Sequence, residues 1–152
     1  MKPYTVEIEI NKLRAEVAEI FACPDRLKHW QTDLQKVECV EGTVGEVGAE
    51  SVLTFLIQNR PMELKEVLTV VNLPNEIKGT YSWDGGENEL HTTFTEVSPN
   101  TTKIASTCTY RFKTLMMKAM GFLFPGKFRA QNMSFLRNLK DYCENGVSIL
   151  GK

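Results

Sequence analysis

Two side chains capable of acid–base chemistry stand out in the sequence, Glu66 and His91. In the segment PMELKEVLTVV, the residues that share the strand parity of Glu66 are the apolar Met62, Leu64, Leu68 and Val70. A regular strand would therefore place this carboxylate among apolar side chains. Burial without a cationic partner raises the pKa of a carboxyl group, which could then act as a general acid or base. The alternative that we favour is structural: a bulge near Lys65 turns Glu66 to water, or Glu66 pairs with Arg111 or Lys103.

His91 and His29 are the only histidines, so a Ser-His-Asp triad or a His-rich metal site has little material to draw on. Strict alternation places Leu90 and Thr92 on one face of a strand and His91 on the other, which we predict to be the outer face. His91 is thus a weak catalytic candidate. His29 could gate a binding site next to Trp30, although a solvated histidine is the simpler interpretation.

Hydrophobic periodicity predicts the elements that would position these residues. Alternating patterns bounded by turn residues predict seven strands, and the short links between successive ones make them antiparallel neighbours. The predicted strands are residues 4–10, 34–41, 50–58, 62–71, 76–83, 89–97 and 102–112. Helical spacing predicts two short helices after the first strand, at 13–22 and 25–30. Asp84-Gly85-Gly86 is the clearest hairpin signal.

Residues 124–146 read as one long amphipathic helix. Pro125 suits a first helical turn, and Asn145-Gly146 can supply the left-handed residue that ends a helix. The apolar face of this helix comprises Phe128, Phe135, Leu136, Leu139, Tyr142 and Cys143. We predict that this face packs against the sheet.

The predicted sheet has more inner face than one helix can cover, so it must curl round the helix or enclose a space. Large aromatic residues are frequent on that inner face, and Tyr and Trp need polar partners when they are buried. Any one of them could simply fill a core, but their number favours a pocket. The candidate ligand-binding residues are Trp30, Phe55, Tyr81, Trp83, Phe94, Tyr110, Met117, Met120, Phe128 and Phe135.

The segment 114–124 is apolar nearly all round, and Lys118 is its only charge. Ordinary packing is its leading explanation. Methionine adapts to irregular ligands, so Met116, Met117 and Met120 could instead form a pliable lid over a cavity mouth. The same segment could also contact a membrane or a second subunit.

The order strand, two short helices, six strands and a long helix resembles the START/Bet v 1-like superfamily. Pro24 and Trp30 in the helical pair, Gly45 and Gly48 in a turn, and Pro74 after the fourth strand carry the resemblance. Within the superfamily the chain is most similar to polyketide cyclase/dehydrase and lipid-transport (SRPBCC) domains. The resemblance implies an α+β helix-grip fold with a deep hydrophobic cavity between sheet and last helix. Members bind lipids, sterols, polyketides or hormones, and some catalyse cyclisation or dehydration.

Composition limits the classes of function. With 18 Lys+Arg against 19 Asp+Glu there is no global charge to attract nucleic acid. No leader-like stretch and no run long enough to span a bilayer is present, so a soluble, cytoplasmic protein is expected. We expect one domain over 1–152, four reduced cysteines, no metal and no cofactor. A homodimer or a transient membrane contact stays open.

Three functions remain. The first is a carrier or sensor that binds a hydrophobic small molecule between the sheet and the long helix. The second is a cyclase or dehydratase in which Glu66 or His91 moves protons. The third is a protein-interaction domain that uses the Met-rich segment, which predicts a filled core and an exposed apolar patch.

Overall fold

One antiparallel sheet of seven strands dominates the computed structural model, which describes residues 1–151. The strands are β1 (Tyr4–Ile10), β2 (Leu34–Glu41), β3 (Glu50–Ile57), β4 (Arg60–Asn72), β5 (Glu76–Trp83), β6 (Gly86–Ser98) and β7 (Thr101–Phe112). Their order in the sheet is β1-β7-β6-β5-β4-β3-β2. From β2 to β7 each strand therefore lies beside the next one in sequence, and β1 pairs with β7, which confirms the predicted antiparallel arrangement.

Three α-helices and two short 3₁₀ helices complete the described chain. Helix α1 (Arg14–Ala22) and the 3₁₀ helix Pro24–His29 follow β1, as predicted. Helices α2 (Leu115–Leu123) and α3 (Pro125–Asn145) follow β7, and a last 3₁₀ turn spans Ile149–Gly151. The second predicted short helix is thus a 3₁₀ helix, and the 114–124 segment forms a helix of its own.

Helix α3 is the element that the sheet grips. Pro125 begins it, and Gly146 ends it in the left-handed conformation with φ 66°, where glycine has no steric cost. Leu136, Leu139 and Cys143 are its buried residues, and α3 packs mainly on β1. The amphipathic helix that the sequence predicts is confirmed, and together these elements form the predicted α+β helix-grip architecture.

Strand β4 contains the one irregularity that matters for the inner face. It pairs with β3 in unbroken register from Arg60 to Val67, so there is no bulge near Lys65. The register with β5 shifts between Leu68 and Val70 instead. Beyond this shift, Val70 lies opposite Lys78, whose side chain is on the outer face, and it no longer shares the face of Glu66. The predicted inward position of Val70 is therefore wrong.

Candidate ligand-binding site

A cavity of about 100 Å³ lies between the inner face of the sheet and the helices α1 and α3. All seven strands, the 3₁₀ helix Pro24–His29 and three loops also contribute to its walls. Most of the wall is apolar, and the exposed lining residues Val44, Gly45 and Leu73 lie in loops at one end of the sheet. The aromatic lining residues are Phe21, Trp30, Tyr81 and Phe135, and the polar ones are Gln31, Ser51, Glu66, Tyr81, Thr92, Ser106 and Asn132.

Glu66 projects into this cavity. The Tyr81 hydroxyl donates a hydrogen bond of 2.7 Å to Glu66 Oε2, because the two residues lie opposite each other on β4 and β5. Burial raises the pKa of Glu66, and the hydrogen bond from Tyr81 opposes that rise only in part. Burial likewise raises the pKa of Tyr81 well above its usual range. The pair therefore places a readily protonated carboxyl group and a neutral phenol side by side.

The structural alternative for Glu66 is wrong. The bulge lies beyond it, so regular pleating keeps its side chain on the inner face. Arg111 lies 3.5 Å from Glu87, and Lys103 faces Thr95 and Glu9 in the strand register, so neither pairs with Glu66. Among the cavity-lining residues that the structure describes there is no Lys, Arg or His, and Glu66 has the only carboxyl group.

The raised pKa of Glu66 predicts a pH dependence of stability. Because the folded state binds the proton more tightly than the unfolded state, the free energy of unfolding falls as pH rises from the ordinary value of 4.5 through the folded pKa. In Glu66→Gln the amide oxygen can still accept the hydrogen bond from Tyr81. The fall in the free energy of unfolding with rising pH is absent, because the amide does not titrate. We therefore expect the stability of the variant relative to wild type to increase across that window and then level off. Urea denaturation between about pH 4 and pH 8 measures it.

The control for this prediction is Glu63→Gln, which alters an exposed carboxylate of the same strand. Its stability should follow the wild-type pH profile. If Glu66→Gln also followed the wild-type profile, the carboxyl group of Glu66 would not be buried in solution.

Trp30 supplies an unsatisfied donor. Its side chain is 3% exposed, and Nε1 has no hydrogen-bond partner among the described residues. The ring is fixed by stacking on Phe21, at 5.3 Å between centroids, and by an edge contact with Phe135 at 6.5 Å. Asn138 of α3 also donates to the Trp30 carbonyl at 3.2 Å. A buried N–H without a partner costs about 1–3 kcal/mol, so a ligand acceptor would relieve a real penalty.

Two groups of polar side chains on the inner face satisfy one another, although Asn88 Oδ1 is buried without a partner among the described residues. Thr92 and Ser106, both buried, share a 2.8 Å hydrogen bond between their hydroxyl groups. Asn132 Nδ2 lies 2.6 Å from Tyr4 Oη and 3.2 Å from Tyr110 Oη. This network joins the cavity wall at Asn132 to the edge of the sheet at β1.

The two buried thiols, Cys108 and Cys143, do not favour nucleophilic chemistry. Burial raises the pKa of Cys108 to about 11, and it raises the pKa of Cys143 to about 11 as well. Both are therefore protonated at neutral pH, and the thiolate is the reactive form of cysteine.

No sequence-family model matches the chain, and no curated protein matches it in sequence. Solved structures do match. A START superfamily protein from Mycobacterium smegmatis superposes with a TM-score of 0.73 at 11% identity, over 93% of this chain and 96% of that one. Ginseng major latex-like protein 151 from Panax ginseng gives 0.75 at 12% identity, over 93% and 97%. Ara h 8.0201 gives 0.71 at 16% identity, over 93% and 98%.

The chain has the START/Bet v 1-like helix-grip fold. These identities show the fold alone, so the chemistry of the site rests on the residues of this chain. Within residues 1–151, no group of three or more His, Cys, Asp or Glu is placed to hold a metal ion. In the same range, no helix combines the length and hydrophobicity needed to cross a bilayer.

The helix-grip cavity gathers only some of the predicted ligand-binding residues. Trp30, Tyr81 and Phe135 line it. Phe55 and Phe94 are buried in the hydrophobic core instead. The rest lie at the opposite end of the sheet, and they are Trp83, Tyr110, Met117, Met120 and Phe128. There Tyr110 and Phe128 pack together at 5.0 Å between ring centroids. Ligand contact by the three lining residues stays a prediction.

Neither histidine lies in the cavity wall. His91 is on the outer face, as predicted, with Nε2 3.0 Å from Glu76 Oε1, so proton transfer to a ligand in this cavity would not involve it. His29 Nδ1 lies 2.8 Å from the Ser148 hydroxyl, and its ring stacks on Tyr142 at 5.0 Å. The solvated interpretation of His29 is therefore incomplete, because its ring is held by two partners.

Two interpretations of the Met-rich segment, the lid and ordinary packing, also need correction. Helix α2 contributes no residue to the cavity lining, so it is not a lid over this cavity. The reason is geometric: the exposed lining residues lie in loops near the start of β5, whereas α2 lies near its end. Ordinary packing accounts only for the side of α2 that carries Met117, Met120 and Gly121, because the other side is exposed.

Sequence reasoning missed several lining residues whose signal was available. Ile77 and Gly79 share strand parity with Tyr81, so all three face inward. Asn132 falls within the apolar stripe of α3, between Phe128 and Phe135. A polar residue on the apolar face of a helix indicates that a polar group or ligand is buried next to it.

Proposed function

We propose that the chain, as a single SRPBCC-type domain, binds a compact, electrically neutral hydrophobic molecule that carries a hydrogen-bond acceptor. The observation that carries the proposal is the apolar cavity into which Glu66 and Tyr81 project and whose wall includes Trp30 with an unpaired indole N–H. Apolar contact at ~25 cal/mol per Å² would supply affinity. The indole N–H and the carboxyl group would supply orientation.

The electrostatics of the wall support a neutral ligand. A carboxylate or phosphate ligand would find no cationic side chain among the described lining residues, and its desolvation would not be compensated. Protonated Glu66 can donate to an acceptor, and so can Trp30. Ketones, aldehydes, amides and ethers fit these two donors.

The volume supports a compact ligand. At about 100 Å³, the cavity is smaller than the ~300–1,000 Å³ of pockets for drug-sized molecules. It is of the order of an engineered cavity of about 150 Å³ that binds benzene. A molecule built on one ring is therefore favoured over a long-chain lipid.

Native mass spectrometry of the freshly purified protein, followed by denaturing extraction, is the first test. We expect a neutral molecule to co-purify in stoichiometric amount.

The second test is fluorine NMR with fluorinated acetophenone, benzoate and benzylamine, which share a ring but differ in charge. We expect the ketone to bind most tightly. An empty protein that takes up none of the three contradicts a binding function, whereas equal binding of benzoate contradicts the neutral-ligand specificity.

Replacing Trp30 with phenylalanine tests the donor directly. In Trp30→Phe, the ratio of fluoroacetophenone affinity to fluorotoluene affinity is expected to fall about threefold to tenfold, because one hydrogen bond contributes ~0.5–1.5 kcal/mol. Fluorotoluene has the same ring without an acceptor, so the ratio removes any effect of the larger cavity. Affinities come from fluorine NMR titration. An unchanged ratio would show that the indole N–H does not contact the ligand.

A cyclase or dehydratase reaction in the same cavity is the second candidate, and the Glu66–Tyr81 pair favours it. A carboxyl group with a raised pKa beside a phenol can transfer a proton to or from a bound molecule. The test is to incubate the extracted ligand with wild type and with Glu66→Gln and to follow its mass and isomer composition. A ligand that wild type leaves unaltered contradicts this candidate without affecting the binding proposal.

A further inference from the structure

Helix α2 exposes an apolar face to solvent. Leu115, Met116, Ala119, Phe122 and Leu123 recur at helical spacing and are all exposed, with Leu115 and Phe122 at 85% each. Phe124, which follows the helix, is exposed as well. Contiguous apolar surface of this kind on a globular protein marks a contact site.

The opposite face of α2 is anchored, so the exposure is not a sign of a loose helix. Gly121 is buried against Phe112 so closely that an added Cβ would collide with the ring. The Thr114 side chain caps the helix by accepting from the Met117 N–H at 3.2 Å. Met117 packs next to Gly85 in the turn between β5 and β6. The fold therefore holds the apolar face outward.

Cationic side chains border this face. From Val97 to Lys140 inclusive, the sequence has eight Lys or Arg and no Asp or Glu, although the whole chain has a net charge of −1. Within the described part of the chain, Lys113, Lys118, Lys127 and Arg129 have no carboxylate within 4.0 Å. Their charges are therefore not neutralised by ion pairs.

Two of these cations lie over aromatic rings rather than beside acids. Lys127 Nζ is 5.0 Å from the centroid of Phe124, and the Arg129 guanidinium is 5.9 Å from that of Tyr4. The turn next to Met117 does contain one acidic residue, Asp84, so the border is predominantly rather than wholly cationic.

A groove beside α2 combines both features. It runs between the first residues of the chain and the start of α3, and its lining includes Lys2, Lys118 and Arg129 together with Phe122 and Pro125. Apolar and cationic side chains thus line the same groove. An anionic lipid is complementary to this groove, because its phosphate group can contact the cationic side chains while its acyl chain contacts the apolar ones.

We propose that the exposed face of α2 docks on the surface of a lipid bilayer that carries anionic headgroups. Phe122, Leu123, Leu115 and Met116 enter the acyl boundary, and Lys113, Lys118, Lys127 and Arg129 contact phosphates. A second copy of this chain is a poorer occupant, because a two-fold contact between these faces would bring like charges together. This docking is independent of the ligand in the cavity.

Vesicle co-sedimentation tests the proposal with the full chain. The two vesicle types are pure phosphatidylcholine and phosphatidylcholine with about a quarter phosphatidylglycerol, the latter giving an anionic surface. We expect binding to the anionic vesicles, weakened by added salt, and little binding to the neutral ones. Absence of binding to anionic vesicles at low salt overturns the proposal.

Matched variants locate the contact. Phe122→Ser combined with Leu123→Ser should abolish binding, and Lys118→Gln and Arg129→Gln should each weaken it about fivefold, since a basic residue near an anionic surface contributes ~1 kcal/mol. Val97→Ser and Lys28→Gln alter an exposed apolar residue and an exposed cation elsewhere and should bind as wild type. Circular dichroism and thermal melting confirm folding. Equal binding by the α2 variants, or a dimer in sedimentation equilibrium that Phe122→Ser dissociates, overturns the proposal.

Discussion

Replacing Gly79 with leucine is expected to weaken the binding of fluoroacetophenone about tenfold to a hundredfold while leaving the fold intact. Gly79 lies opposite Leu68 on β4, and a Cβ placed on it would lie 3.5 Å from Tyr81 Cε2 and 3.6 Å from Leu68 Cδ2. The first carbon therefore fits, and the rest of a leucine side chain would occupy the cavity. Displacing a ligand or overpacking the wall costs ~1–3 kcal/mol, and each 1.4 kcal/mol is tenfold in affinity.

Two variants control this experiment. Gly79→Ala adds only the carbon that fits and should reduce affinity far less. Thr80→Leu adds a leucine to the outer face of the same strand and should leave affinity unchanged. Affinity is measured by fluorine NMR titration and stability by thermal melting. Full binding by a folded Gly79→Leu would place the ligand outside this cavity.

The fold was predictable because its signals are local and redundant. The predicted bounds of β1, β2 and β5 match the observed ones. In β1 the signal is alternation between an exposed and an inner face, and β5 is bounded by turn residues on both sides. The β5–β6 hairpin followed from Asp84-Gly85, and the bounds of α3 followed from Pro125 and Gly146. Where the signal was weaker, boundaries moved: β3 ends before Gln58 and Asn59, which form the turn with positive φ.

The site was harder to predict than the fold, because the side chains that face the cavity depend on where a bulge interrupts the alternation of inward and outward residues along a strand. Parity predicted that Glu66 would face inward, but the sequence contains nothing that separates a bulge at Lys65 from one beyond Leu68. Alternation along a strand also predicts only which face a residue lies on, and it does not predict whether an inward residue lies near the cavity or at the other end of the sheet. For that reason Tyr110 and Phe128, which pack at the end near α2, were grouped with residues of the cavity.

The outward face of α2 shows a different limit. A segment that is apolar on all sides is predicted to be buried by any analysis of sequence pattern. The pattern reports the hydrophobicity of the side chains, and it does not report which of them remain exposed once the chain has folded. Gly121 against Phe112 decides which side is buried, and that contact joins two elements. The cavity and α2 also have opposite electrostatics: the described cavity wall has no cation, whereas the border of α2 has several. An anionic lipid therefore fits the surface and not the cavity.

Stability and binding should separate at two neighbouring positions of α3. Leu139 is fully buried and does not line the cavity, whereas Leu136 is almost as buried and does. Leu139→Ala is expected to lower the free energy of unfolding by about 2–5 kcal/mol, through lost burial and a new void in the hydrophobic core. Urea denaturation measures this cost, and Arg137→Ala, on the exposed side of the helix, should cost far less.

Leu136→Ala is expected to destabilise to a similar extent, but its void joins the cavity, so larger ring ligands should bind more tightly to it than to wild type. Leu139→Ala, measured under conditions where it is folded, should keep the wild-type order of ligand affinities. Fluorine NMR with fluoroacetophenone and its naphthyl analogue makes the comparison. If both variants changed ligand selectivity equally, the boundary drawn here between the gripped face of α3 and the cavity wall would be wrong. If only Leu136→Ala changes ligand selectivity, the buried face of α3 has two roles. It stabilises the fold at Leu139 and contacts the ligand at Leu136, one turn earlier.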